Sequence, residues 1–163
     1  MQRALTAIAA LTLLTIPCLA GQALADETLQ SVEKAGSRAA LKGGAATFTG
    51  SVRVDMLSDP HPEAPYSVAY VTFEPGARTH WHTHPAGQTL VIVAGVGLTG
   101  TEDGRVWEIR PGDVVWCPEG VRHWHGAAPT TAMTHLCVTG DRDGRNVTWM
   151  EPVSDEQYRK GQK

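Results

Sequence analysis

Cysteine is scarce in this chain of 163 residues: Cys18 sits in an apolar leader, which leaves Cys117 and Cys137. Two thiols build neither a disulfide scaffold nor a cysteine zinc cluster. Both lie in apolar, strand-like runs, Trp-Cys-Pro and His-Leu-Cys-Val, so one disulfide or two buried free thiols are both open. A dominant charge is also missing. Lys plus Arg number 14 against 17 Asp plus Glu, a formal net charge of -3 with no basic run, which speaks against nucleic acid as a partner. Aromatics make up 6% of the chain, although five of them are Trp. Past the leader there is no internal repeat, no linker, and no apolar run of the ~20 residues a membrane helix needs. At this length one domain is expected, and 42% hydrophobic residues suffice for a sizeable core.

The leader runs from Met1 to Ala25. Arg3 supplies a positive start, Ala4 to Leu19 is nearly all apolar, and Ala23-Leu24-Ala25 fits a small-x-small cleavage site. The pattern predicts a signal peptide over 1–25, cleavage after Ala25, and a periplasmic or secreted protein; an uncleaved anchor is the alternative. Pro17 before Cys18 argues against a lipoprotein site, and a single Arg against a twin-Arg signal.

Residues 26–47 are polar and Ala-rich, a weak helix or an arm. A barrel is expected over 48–150. Val52 to Met56 and Ser67 to Phe73 read as strands, and the prolines of Asp59 to Pro65 make the segment between them a loop in which His61 is solvated. Leu98 to Thr101 and Arg105 to Ile109 form a hairpin around Glu102-Asp103-Gly104. Gly/Pro turns then lead into Val114 to Cys117, Arg122 to Gly126, and a last long strand, Thr131 to Thr139. Over 151–163, Ser154 with Gln157 reads as a capping box opening a short helix. Strands at regular spacing without helices between them mean an all-β sandwich or closed barrel.

The chemistry concentrates in the histidines. His80, His82 and His84 alternate, which in an extended strand puts all three on one face. Gln88 follows at the head of the apolar strand Thr89 to Ala94. His123 and His125 alternate on a second strand, and His135 lies on a third, so six of the seven histidines fall on three strands. Crowded imidazoles repel when protonated and need hydrogen bonds when buried; a divalent metal resolves both problems. Trp81 and Trp124 have the opposite parity and should pack on the other face.

Two spaced motifs carry a resemblance. Gly76, His82, His84, position 88 and Gly95 stand at the intervals of the first cupin motif, and Pro111-Gly112, Pro118, Gly120 and His123 at those of the second. Position 88, usually Glu, is Gln, and Ala127 stands where Asn is common. The resemblance covers roughly residues 50 to 140. It implies a double-stranded β-helix, the jelly-roll barrel, with His82, His84, Gln88 and His123 as metal ligands. The segments Thr-Phe-Glu-Pro-Gly-Ala-Arg-Thr, Trp-His-Thr-His-Pro, Gly-Gln-Thr-Leu and His-Trp-His-Gly-Ala-Ala-Pro-Thr-Thr-Ala-Met-Thr-His-Leu are similar to the small bacterial manganese cupins that act as (R)-selective hydroxynitrile (mandelonitrile) lyases. That group also uses Gln as fourth ligand and a histidine on the last strand as base, here His135. The chain departs from it in its export leader and in His80.

Three imidazoles and one amide leave the full charge of a divalent ion uncompensated, which makes a stronger Lewis acid than a site with Glu. An N/O donor set without thiolate suits Mn, with Fe, Zn or Ni as alternatives. His135 is the expected base, assisted by His125 and His80. The expected activity is a lyase acting on a small-molecule cyanohydrin. A dioxygenase or decarboxylase of small aromatic or carbonyl compounds and a non-catalytic periplasmic binder are the alternatives. A homo-oligomer, dimer or tetramer, is also expected, and no membrane contact after leader removal.

Overall fold

The computed structural model describes residues 30–160, so the leader and the cleavage site predicted after Ala25 lie outside the described residues. In chain order the strands are β1 (Leu41–Lys42), β2 (Phe48–Thr49), β3 (Val52–Ser58), β4 (Tyr66–Phe73), β5 (Arg78–Thr79), β6 (His82–Thr83), β7 (Gln88–Gly95), β8 (Gly97–Thr101), β9 (Val106–Ile109), β10 (Val114–Cys117), β11 (His123–Ala127), β12 (Met133–Gly140) and β13 (Thr148–Trp149), followed by the helix α1 (Asp155–Arg159). They form two antiparallel sheets. One runs β1-β3-β4-β12-β7-β10; the other runs β13-β6-β11-β5-β2, with the β8–β9 hairpin attached to β11. Connections that hop between sheets in this way make the double-stranded β-helix.

Alternation decides which face is buried. On β4, Ser67, Ala69, Val71 and Phe73 are buried while Tyr66 and Tyr70 are exposed. On β12, Met133, His135, Cys137 and Thr139 are buried and their neighbours are not, so the face carrying His135 is the inner one. The core between the sheets gathers Val52, Phe73, Leu90, Ile92, Ile109 and Met133. Trp81 and Trp124 pack on the outer side of the second sheet with Leu98, Val153 and Tyr158, as their parity predicts.

The tail is fastened by named contacts. Ser154 and Gln157 cap α1 reciprocally, as the sequence predicts. Tyr158 donates its hydroxyl to the Ala127 carbonyl at 2.7 Å, and the buried Arg78 guanidinium donates to the Val153 carbonyl and to Asp155. The arm before the barrel is not helical over the described residues; its Leu41–Lys42 pairs with β3. Gly95 closes β7 at φ 76°, and a Cβ there would meet the Ala132 carbonyl oxygen at 1.7 Å, so only glycine fits.

The two thiols are free and buried. Cys117 faces Gln88 from one side of β7, and Cys137 faces Leu90 from the other. Two strand spacings, roughly 9–10 Å, exceed the ~7 Å a disulfide can bridge. Burial pushes the Cys117 thiol up to about 12, which makes it inert at neutral pH.

Candidate metal centre

Arg78–Thr79 (β5) and His82–Thr83 (β6) both pair with β11, and the chain bends at Trp81 between them, so that four residue steps from Arg78 to His82 stand against three from Gly126 to His123. The other edge of this segment is shared by two partners from opposite ends of the chain. Phe48 pairs with Thr79, and Trp149 pairs with His82. The His80 N–H donates to the Thr47 carbonyl, and the Trp81 N–H to the Glu151 carbonyl. The partners change over between His80 and Trp81, and there the alternation slips. Thr79 and His82, three residues apart, both line the same cavity, whereas Trp81 packs on the outer side. The expectation that His80, His82 and His84 share one face is corrected: His82 and His84 come together with ring centroids 5.0 Å apart, while His80 is buried outside the cavity lining. His80 takes part through its backbone, its carbonyl accepting from His82.

The cluster contains five rings. His82 and His123 are neighbours at 4.2 Å between centroids, His84 and His123 at 5.3 Å, and His82 and His125 at 5.2 Å. His135 meets His125 at 4.8 Å, with Phe73 packed against both. All five are buried.

Hydrogen bonds divide them. The Nδ1 of His82 donates to the His80 carbonyl at 2.9 Å, that of His84 to the Asn146 carbonyl at 2.5 Å, and that of His123 to the Val121 carbonyl at 2.9 Å. A carbonyl can only accept, so it fixes the tautomer and leaves each Nε2 with its lone pair free. Gln88 follows the same logic: its amide nitrogen donates to Thr139 Oγ1 at 3.0 Å, which turns Oε1 the other way. His84 Nε2, Gln88 Oε1 and His123 Nε2 are buried and have no partner among the described residues. Orphaned buried acceptors are costly, and four neutral donors of this kind fit a divalent cation. His125 and His135 are different. Their contact, 3.2 Å between His135 Nε2 and His125 Nδ1, joins two groups each able to donate or accept. The outer nitrogens of this pair, His125 Nε2 and His135 Nδ1, are also unpartnered. Ring nitrogens of His82, His123 and His125 lie within 4.8 Å of one another, a second arrangement able to hold a divalent metal.

Burial keeps the cluster neutral. It is the largest cause lowering the proton affinity of His82, where His123 adds repulsion, of His84, and of His125, where His135 adds repulsion. Burial takes His123 down to about 4 and His135 down to about 3. Neutral imidazole is the form that binds metal and the form that accepts a proton.

Four of the five rings, those of His82, His84, His125 and His135, open onto a cavity of about 260 Å³, and His123 stands behind His82, outside its lining. Apart from these rings and Ser67, Thr79, Gln88, Thr139 and Asn146, the cavity wall is apolar, with Phe48, Val54, Met56, Val71, Val147 and Trp149, and among the described residues no Asp, Glu, Lys or Arg lines it. Four contributors escape a reading of the sequence. Asn146 acts through its carbonyl, which leaves no side-chain signature. Thr79 accepts from the His125 N–H through Oγ1. Phe48 and Trp149 lie outside both motifs. Thr139 was within reach, since it shares the parity of His135 on β12.

Residues 69–139 match the family described as a cupin domain. The chain is 57% identical over 129 residues to an (R)-mandelonitrile lyase of Granulicella tundricola, covering 79% of this chain and 98% of that protein. Among solved structures it is similar to a cupin-like protein from Thermotoga maritima, 40% identical with a TM-score of 0.70, over 74% of this chain and 91% of that one. A cupin 2 conserved barrel domain protein from Rhodopseudomonas palustris is 19% identical with a TM-score of 0.57, over 72% and 79% of the two chains, a likeness of fold alone.

Proposed function

The chain belongs to the cupin family, and on that premise we propose that it is a metal-dependent lyase that cleaves and forms cyanohydrins of the mandelonitrile type. One observation carries the reading: three buried acceptor atoms without a partner among the described residues, on His84, Gln88 and His123, stand beside His82, and a pair of neutral imidazoles adjoins them at a cavity that no charged side chain among the described residues lines. The likeness to an (R)-mandelonitrile lyase supports the substrate class.

In this reading His82, His84, Gln88 and His123 hold the metal. The common pattern of their outer hydrogen bonds favours this set over one that includes His125, whose Nδ1 meets another imidazole. Manganese suits a nitrogen and oxygen set with open positions, since four ligands would close a tetrahedral zinc. A divalent ion held there supplies positive charge to the departing cyanide or to the carbinol oxygen. The protein's own residues do the rest. The His125–His135 pair takes the hydroxyl proton as a general base and shares it across the 3.2 Å contact. Sharing offsets the low proton affinity of a lone buried ring. Phe73 fixes both rings from behind, and the apolar wall excludes water, which strengthens each charge interaction inside.

Export by the leader, Met1 to Ala25, belongs to the same proposal. So does a homo-oligomer, dimer or tetramer. Its support is the outer face of the first sheet, where Tyr70, Leu136, Val91 and Val114 form one cross-strand row and Val68, Val138, Thr89 and Trp116 the next. Val114 is 64% and Trp116 61% exposed, an apolar patch of the kind that marks an interface. Sedimentation should show an assembly that Trp116→Lys dissociates; a wild-type monomer at micromolar concentration overturns it.

The deciding experiment is elemental analysis of protein taken from its native compartment, followed by assay of mandelonitrile cleavage with each metal restored. Release of benzaldehyde and cyanide without oxygen uptake is expected. Oxygen uptake with a phenolic substrate would make the chain a dioxygenase, and metal without turnover a binder.

A further inference from the structure

We propose that Phe48 and Trp149 form an aromatic clasp that selects the ring-bearing half of the substrate; this rests on the lyase reading above. Both residues lie outside the stretch 69–139 matched by the family. They reach the cavity from opposite ends of the chain, on β2 and β13, and meet where the two halves of one sheet edge abut. Their ring centroids are 5.8 Å apart at 57°. The Trp149 ring also lies 4.8 Å from that of His82, and Phe48 lies 6.1 Å from Phe73 at 65°. Phe73 in turn packs against His125 and His135. A chain of ring contacts therefore runs from Trp149 and Phe48 at the cavity wall, through the fully buried Phe73 behind it, to the pair that receives the proton.

The chemistry it fits follows from what surrounds it. Among the described residues no charged side chain lines the cavity, so none of them pairs with a carboxylate or ammonium substrate. Trp149 is 37% exposed, so part of a large aromatic surface is left for a ligand to cover. An aryl ring laid offset on Trp149 and edge-on to Phe48 would place its carbinol carbon toward the histidines. An aliphatic cyanohydrin has no quadrupole to match and gains only area.

The test compares kcat/KM for mandelonitrile and acetone cyanohydrin in the metal-loaded protein, with metal content measured for every variant. Trp149→Ala should lower the aromatic-over-aliphatic ratio about tenfold, chiefly through KM, near the upper range for an aromatic pair. Trp149→Phe should recover most of the ratio. Phe48→Leu touches no proposed ligand and should shift the ratio the same way, by about threefold. An unchanged ratio in both Trp149→Ala and Phe48→Leu overturns the clasp. So does an equal fall on both substrates that tracks metal loss, which would make Trp149 a prop for His82. Failure of the lyase reading looks different: the wild type turns over neither substrate. Calorimetric titration with benzaldehyde then decides. Binding weakened about tenfold by Trp149→Ala supports the clasp, and equal affinity overturns it.

Discussion

His82, His84 and His123 differ from His125 and His135 in one respect that outweighs their shared burial. The first three are each anchored to a backbone carbonyl, the last two to each other. A carbonyl has no proton to give, so it fixes one nitrogen as donor and the other as a permanent lone pair. Another imidazole imposes no such choice, and a proton can sit on either ring. The same side chain in the same buried cluster is thus prepared for two tasks by what stands behind it. Fixed lone pairs suit a metal; an exchangeable proton suits acid–base work.

The largest effect should come from breaking the anchored set. His84→Ala and His123→Ala should empty the site and abolish turnover, with metal stoichiometry falling toward zero by elemental analysis. Full occupancy in both variants would mean that the ligands lie elsewhere. His125→Ala sharpens the comparison, since it should retain metal under the division drawn above. Loss of metal in His125→Ala and His123→Ala, with His84→Ala retaining it, would favour the triple of His82, His123 and His125.

Next in size is the paired set. His135→Ala should keep its metal and lose about 10²- to 10⁴-fold in cyanohydrin cleavage, the usual cost of a missing general base. An emptied site would place His135 among the ligands. Unchanged turnover with retained metal would leave it a core residue and move the base to His125.

Much of this division was within reach of the sequence, and the remainder has physical reasons. Alternation located β3, runs bounded by Gly/Pro turns located β4, β7, β11 and β12, and the hairpin turn and capping box stand where their residues predict. The spacing of the two motifs singled out His82, His84, Gln88 and His123. His80 was misjudged because the alternation breaks at a bend at Trp81, where the edge partner changes from Thr47 to Glu151, a long-range arrangement that no local window contains. The carbonyl anchors were invisible because any residue can supply one; Asn146 holds His84 through its backbone. Proximity of His125 to His135 depends on strand register, and only β11's approach to β12 across the core settles it.

A smaller effect tests the anchor of Gln88. Thr139→Val keeps the shape of the side chain and removes the acceptor for the amide nitrogen. The amide is then free to turn, and metal affinity should weaken about 10- to 100-fold, as when other outer partners of ligands are lost. Competition with a chelator measures this directly, and Thr139→Ser should restore it. An affinity equal to wild type in Thr139→Val would show that the Gln88 amide is held by something else.

Taken ring by ring, the smallest effect is shared by both sets and appears in metal-free protein. Burial lowers the proton affinity of His82, His84, His123, His125 and His135 in the folded state, taking His123 to about 4 and His135 to about 3. In the unfolded chain each returns to about 6.5. Above that pH both states hold the rings neutral, and stability should be flat. As the pH falls below it, the unfolded chain takes up protons that the native cluster refuses. Stability must therefore drop, by about 1.4 kcal/mol per pH unit for each ring that differs. The loss continues until the folded rings protonate in turn, near 4 for His123 and near 3 for His135. Denaturant titrations of the metal-free protein between pH 8 and 5 read the slope. It should be level down to about pH 7, steepen below, and shrink by one proton in His135→Phe, a substitution that keeps a ring against Phe73. A slope unchanged by that substitution would mean that His135 titrates alike in both states, and the sheltered, neutral pair inferred from its contacts would have to be abandoned.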